Sequence, residues 1–169
     1  SMRSLQFSGK ALQFENVHGY NCSYTAIDKI ESFSNLLYIS MCGTGAAFSV
    51  ERKYISQLPT IKDEVNETIK ITVSDSRHGW KLALNNVLIH LFNGYHVSVD
   101  VSLVRPKGAP LRTTGGTASG PEPLLRLFTF IEKTIQSARG RQLTDLEVHD
   151  ICCFIGDIVQ LGGVRRSAM

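Results

Sequence analysis

Three glycine-marked stretches divide this chain and set where its regular elements must stop. They are Cys42-Gly43-Thr44-Gly45-Ala46-Ala47-Phe48-Ser49-Val50, then Arg105-Pro106-Lys107-Gly108-Ala109-Pro110 running on to Gly115-Gly116-Thr117-Ala118-Ser119-Gly120-Pro121, and last Gly162-Gly163-Val164-Arg165-Arg166-Ser167-Ala168. Glycine weakens helix interiors and admits backbone angles closed to other residues, so each stretch ends one element and begins another.

Between these breaks the pattern alternates. Residues 1–20 read as irregular, and residues 21–27, with Tyr24, Thr25 and Ile27, as a short strand. Asp28 is placed to cap a helix over 29–40, where Ile30, Phe33, Leu36, Leu37 and Ser40 recur at helical spacing. Residues 46–50 are short and apolar, a buried strand; 57–66 is a polar surface loop; 68–73 alternates weakly, as an edge strand does. Ser74 and Asp75 precede a second helix over 77–92 with an apolar stripe of Trp80, Leu84, Val87, Leu88 and Leu91, closed by Asn93-Gly94.

Residues 95–104 set Val97, Val99, Val101 and Leu103 against Ser98, Asp100 and Ser102, the clearest strand alternation in the chain. The segment 105–121 is too long for a plain connector. A third helix is predicted over 121–136 with Pro123 in its first turn, and a turn over 137–142. A fourth helix spans 144–161, opened by a capping box of Thr144 and Glu147 and closed by Gly162-Gly163. Strands alternating with helices imply an α/β architecture with a largely parallel sheet.

The chain has 169 residues, enough for one domain with a real core. A net charge of +3 is too small to argue for nucleic acid, and the apolar runs are too short to span a bilayer. No charged-then-apolar leader opens the sequence. The four cysteines fit neither a disulfide scaffold nor a zinc spacing, so a reducing cytoplasm is expected and no metal.

The chemistry of each stretch is open when taken alone. Gly43-x-Gly45 follows a helix and precedes a strand, the reverse of a dinucleotide-binding loop, so it reads as a tight turn or a close backbone approach to a ligand. Lys107, Arg112, Gly115, Gly116, Thr117 and Ser119 before a helix start suit an anionic ligand or a solvated loop. Arg165 and Arg166 after a helix C-terminus suit a cap better than a ligand. At least one of Cys152 and Cys153 reads as core packing, Cys42 as buried or near a ligand, and Cys22, taken by itself, more often as a buried small residue than as a reactive thiol. His18, His78, His90, His96 and His149 show no paired ligand spacing and read as surface residues.

Taken together and in order, the motifs resemble the catalytic chain of adenosylcobalamin-dependent (class II) ribonucleotide reductases. The resemblance rests on Ser1-Met2-Arg3-Ser4, Asn21-Cys22-Ser23-Tyr24, Cys42-Gly43-Thr44-Gly45, Ser74-Asp75-Ser76-Arg77-x-Gly79-Trp80, the two halves of the 105–121 stretch, and Gly163-Val164-Arg165-Arg166-Ser167-Ala168. It implies roughly the first half of a ten-stranded α/β barrel of parallel strands and flanking helices, with residues 1–169 as one partial domain.

The implied activity is reduction of ribonucleotides to deoxyribonucleotides by thiyl-radical chemistry, for DNA synthesis. Adenosylcobalamin would be held mainly by parts of the enzyme outside this chain. Cys22 takes the place of one redox thiol. Asn21, Cys42, Gly43, Thr44, Gly45 and Ala46 take the place of the substrate-lining segment. Thr117 and Ser119 fall in the first effector-facing region. Gly162, Gly163, Arg165 and Arg166 fall in the specificity loop, with Arg165 as the base or phosphate contact.

The implied partners are the complementary downstream reductase segment, a nucleotide substrate, a deoxynucleotide effector and a thioredoxin-type reductant, with neither membrane nor nucleic acid. The family's radical cysteine, its finger-loop cluster and its second redox cysteine are not among these residues, so the segment alone is expected to be inactive. Two other readings are a non-catalytic nucleotide-binding module and a relative using iron or another radical initiator.

Overall fold

The computed structural model describes residues 15–110 and 117–160, with Leu5, Ser8, Gly9, Leu12 and Gln13 from the preceding stretch. A 3-10 turn at Asn16–Gly19 leads into strand β1, Cys22–Ala26. Helix α1, Ile30–Met41, carries the chain back to strand β2, Gly45–Ser49. β2 lies parallel to β1, with Cys22 opposite Gly45 and Ala26 opposite Ser49. A one-turn helix α2, Arg52–Ile55, and an irregular connection lead to strand β3, Thr68–Thr72. Helix α3, Arg77–Phe92, then returns the chain to strand β4, His96–Asp100, parallel to β3 with Thr68 opposite His96. Helices α4, Glu122–Ser137, and α5, Asp145–Gln160, follow.

The strand pairings are parallel, as the alternation predicts, but the four strands form two separate two-stranded sheets. The connection 50–67 explains the separation. Its backbone bonds run to helix-end turns: Ile61 N–H to Arg141 O at 3.0 Å, Lys62 N–H to Phe92 O at 2.9 Å and Val65 N–H to Gly94 O at 2.9 Å. Leu58 and Ile61 anchor it in the core, so this polar stretch is not wholly surface.

Local signals are otherwise read with small errors. Asp28 does not cap the helix backbone; it accepts the Ser32 hydroxyl at 3.0 Å, and Lys29 sits at the cap without a side-chain bond. The cap of α3 is Ser76, which accepts the Gly79 N–H at 2.9 Å, rather than Ser74 or Asp75. β4 stops at Asp100, whose carboxylate accepts the Ser102 N–H at 3.0 Å in the following turn. The alternation runs past that point because Val104 still enters the core. The turns at Asn16–Gly19 and Arg52–Ile55 were not anticipated by periodicity.

The core lies among the helices. α1 packs on α3 and α5, and α4 packs on both of those. Phe33, Leu36 and Leu37 of α1 meet Leu84 and Leu88 of α3, Leu124, Leu127 and Ile131 of α4, and Ile151 and Ile155 of α5 in one cluster. Each such side chain stabilises the fold by about 1.5–3 kcal/mol relative to exposure. Cys152 belongs to this cluster, and burial pushes its thiol far up, as the packing reading expects.

The capping box of α5 forms as predicted. Glu147 accepts the Thr144 N–H at 2.8 Å, and Thr144 Oγ1 accepts the Glu147 N–H at 3.3 Å. Arg141 adds two bonds to the same carboxylate at 2.8 and 2.7 Å, and this guanidinium, with Thr144, holds the Glu147 carboxyl at about 2. A carboxyl depressed on folding stabilises above its unfolded value of 4.5 and loses that contribution as pH falls through its folded value. Glu147→Gln is therefore expected to cost roughly 0.5–2 kcal/mol at neutral pH. In urea melts the gap between the two proteins should narrow as pH falls from about 4.5 toward 2. A gap constant across that window would overturn the assignment.

Candidate functional site

The two strands of the first sheet present one covered and one uncovered face. Successive side chains alternate across a strand. Ala46 is buried and Phe48 packs on the core, while Cys22, Tyr24 and Ala47 are exposed. The register puts Cys22 beside Gly45 and Tyr24 beside Ala47 on the uncovered side. Gly45 and Ala47 make the β2 side of that face a low floor beside Cys22, with the exposed Tyr24 ring on the same face. Among the described residues no side chain hydrogen-bonds that thiol, and it is free and exposed.

The floor ends at a tight turn. α1 stops at Met41, Gly43 adopts φ +77°, and its N–H reaches Ser40 O at 2.8 Å. Gly45 N–H then donates to Asn21 O at 2.9 Å and starts the parallel ladder. Cys42, Thr44 and Ala46 are buried, whereas Gly43 and Gly45 are partly accessible. Any ligand at this turn would therefore meet glycine backbone rather than the side chains of Cys42 or Thr44.

A buried polar network holds the turn from behind. His18 is only 3% exposed, contrary to the surface reading of the histidines. Its Nδ1 lies 3.0 Å from Cys42 O and its Nε2 3.1 Å from Arg77 Nη1. A carbonyl only accepts and a guanidinium only donates, so these two contacts need a neutral imidazole with its proton on Nδ1. Thr44 Oγ1 lies 3.2 Å from Val17 O and 3.0 Å from Tyr20 O, tying the turn to the 3-10 segment. Tyr38 donates its hydroxyl to Glu15. That bond holds the Glu15 carboxyl below its usual range, while burial, followed by the Glu15 bond, pushes the Tyr38 phenol up.

Residues 105–110 and 117–121, the described parts of the 105–121 stretch, are zipped together. Gly108 N–H donates to Ala118 O at 2.9 Å, Ala118 N–H to Ala109 O at 2.8 Å, and Pro110 bridges Thr117. Thr117 is exposed at the bridge, and the Ser119 hydroxyl donates to Gly120 O at 3.2 Å instead of capping α4. At the base of the loop Arg105 Nε meets Asp75 Oδ2 at 2.7 Å.

Cys153 offers a second exposed thiol, with the His149 ring nitrogens 3.6 and 3.7 Å away. Burial and the Asp150 carboxylate push that thiol up, so the pair is no activated nucleophile. Among the described residues no group of three ligating side chains could hold a metal ion. Gly162, Gly163, Arg165 and Arg166 lie outside the described residues, as do Arg112, Gly115 and Gly116.

The family model for the insertion domain of B12-dependent ribonucleotide reductases matches residues 42–135. The chain belongs to the B12-dependent ribonucleotide reductase family. It is 32% identical over 189 residues to an adenosylcobalamin-dependent ribonucleoside-triphosphate reductase of Lactobacillus acidophilus, covering 85% of this chain and 25% of that protein. The enzyme of the same name from Lactobacillus leichmannii is 34% identical over 173 residues, covering 80% and 23%. Its namesake from Euglena gracilis is 32% identical over 154 residues, covering 88% and 21%. A crystal structure of a B12-dependent class II ribonucleotide reductase superposes with a TM-score of 0.78 at 24% identity, over 98% of this chain and 29% of that one. The chain thus spans about a quarter of the length of its reductase relatives.

Within this reductase segment the structure brings Asn21, Cys22, Gly43 and Gly45 together at one end of the uncovered face. Sequence reasoning missed His18, Asp75, Arg77 and Arg105 as residues that position the loops. Asp75 and Arg77 belong to a quoted motif and Arg105 opens another, but nothing local tells which distant residue each one meets.

Proposed function

We propose that this chain forms part of the catalytic unit of an adenosylcobalamin-dependent ribonucleotide reductase acting on ribonucleoside triphosphates. The observation that carries this reading is the register that sets the exposed Cys22 beside Gly45 on the uncovered face of β1–β2. Replacing C2′–OH by C2′–H consumes two electrons. Two thiols supply them by closing to a disulfide, and the hydroxyl leaves as water. Cys22 is one of those thiols, and its partner comes from outside this chain. The Gly43 and Gly45 backbone borders the ribose, with Asn21 beside it.

In this reading the two parallel strand pairs are portions of a ten-stranded α/β barrel whose uncovered faces turn inward. Residues 1–169 then form one partial domain. Thr117 and Ser119 face the effector. Gly162, Gly163, Arg165 and Arg166 form the specificity loop, where the Arg165 guanidinium offers planar donors to a base edge or phosphate.

The described residues do not fit the corrinoid itself. The recess among Val87, Leu91, Val97, Val99 and Phe128 presents no imidazole to ligate cobalt, and neither does the uncovered face at Cys22, Tyr24, Gly45 and Ala47. Adenosylcobalamin supplies radical initiation in other parts of the reductase. The exposed thiols of Cys22 and Cys153 suit a reducing cytoplasm and a thioredoxin-type reductant. None of the described helices is long and apolar enough to cross a membrane.

The test is a complete reductase carrying this sequence, given ribonucleoside triphosphates, adenosylcobalamin and a dithiol. Deoxynucleotide product is the expected result. Nucleotide binding without product would leave the chain a binding module and overturn the proposal.

A further inference from the structure

The turn that opens α3 bonds directly to one glycine-marked loop and, through His18, to the other. Asp75 Oδ2 holds Arg105 Nε at 2.7 Å, at the base of the zipped loop. Two positions later Arg77 Nη1 meets His18 Nε2 at 3.1 Å, and His18 Nδ1 in turn meets Cys42 O at 3.0 Å. These ties join residues 30, 59 and 24 positions apart in the chain.

The turn itself is stiff. Ser76 Oγ accepts the Gly79 N–H at 2.9 Å, and Ser76 N–H donates to Ser74 O at 2.9 Å. Gly79 lies so close beneath Ser74 that a Cβ there would fall 2.2 Å from Ser74 Oγ and 2.4 Å from Ser74 O. A rigid element tied at two adjacent points carries a displacement of one partner to the other.

We propose that Asp75 and Arg77 are positioning residues that couple the zipped segments 105–110 and 117–120 to the 42–45 turn. Movement of Arg105 shifts Asp75, the capped turn carries the shift to Arg77, and His18 passes it to the Cys42 carbonyl and the glycine backbone beyond. The inference rests on the reading above, in which the first loop faces an effector and the second a substrate. On that reading it supplies a link between the two sites through the scaffold.

The experiment compares the complete reductase with its Asp75→Asn variant and with the paired swap Asp75→Arg, Arg105→Asp. Asp75→Asn should shrink the effector-induced change in substrate KM by about 2- to 30-fold. Effector-free kcat should be unchanged, and the swap should restore the response. A full effector response in Asp75→Asn, or a kcat lowered equally with and without effector, would overturn the coupling.

Hydrogen exchange on the same proteins reads the link without reference to activity. Peptides covering 42–45 should exchange faster in Asp75→Asn than in the parent, and peptides from α4 should not. Unchanged exchange at 42–45 would overturn the link even if reduction proceeds normally. A parent protein that reduces no nucleotide would instead overturn the functional reading, and the exchange result would still decide the link.

Discussion

Cys22→Ser is expected to abolish multiple turnover in a complete reductase carrying this chain while leaving its fold intact. Serine is nearly isosteric with cysteine, but its hydroxyl cannot close to a disulfide, so the two electrons needed at C2′ are not delivered. Cys22 is exposed on β1, and an exposed substitution of this kind should change stability by no more than about 0.5 kcal/mol. A loss of three orders of magnitude in steady-state rate corresponds to about 4 kcal/mol of barrier, far beyond what surface perturbation produces.

The other cysteines supply the contrast. Cys152→Ser places a hydroxyl in the helical core and should cost about 1–3 kcal/mol of stability with turnover retained. Cys153→Ser should change neither, because that thiol is exposed and outside the core cluster. Cys42 is buried behind the turn, so serine there should perturb packing first. Steady-state assays with a dithiol, paired with thermal melts, separate these outcomes. Normal turnover in Cys22→Ser would sink the redox assignment.

Gly79→Ala is the second large effect, and its sign is the informative part. Inside a helix, alanine is ordinarily favoured over glycine by about 1 kcal/mol. Helix propensity alone therefore predicts a more stable protein. The added methyl group would instead meet Ser74 Oγ at 2.2 Å and the Ser74 carbonyl at 2.4 Å and 2.9 Å, much of it backbone that cannot swing aside. The first turn of α3 would have to shift, at an overpacking cost of about 1–3 kcal/mol, with the Asp75 and Arg77 contacts displaced as well. Chemical denaturation should show a net loss of stability, and a gain would mean that the turn yields easily and is no rigid coupler.

The legible part of this fold was the part written in short-range chemistry. The helix at Arg77–Phe92 matches its sequence-based bounds because its apolar stripe and Asn93-Gly94 stop are both local. The Thr144 and Glu147 capping box was readable for the same reason, since its two partners are three residues apart. Where a polar side chain had several local choices, the reading slipped. Asp28 took a serine hydroxyl instead of a backbone N–H, and Ser76 rather than its neighbours became the cap. The end of β4 was overrun because Val101 and Val104 still pack inward after the ladder has stopped.

Sequence by itself thus determined the order and type of the main elements, the parallel sense implied by their alternation, and the family through its ordered motifs. Tertiary structure alone decided that β1–β2 and β3–β4 pair as two separate sheets. It also decided that His18 is buried against Cys42, and that Asp75 and Arg77 reach toward two different loops. The physical reason is range. Periodicity, caps and glycine breaks act within a few residues, whereas these contacts join groups 24 to 59 positions apart. Such groups meet only after the helices have packed, and a histidine or arginine carries no local mark of the partner that packing will bring to it.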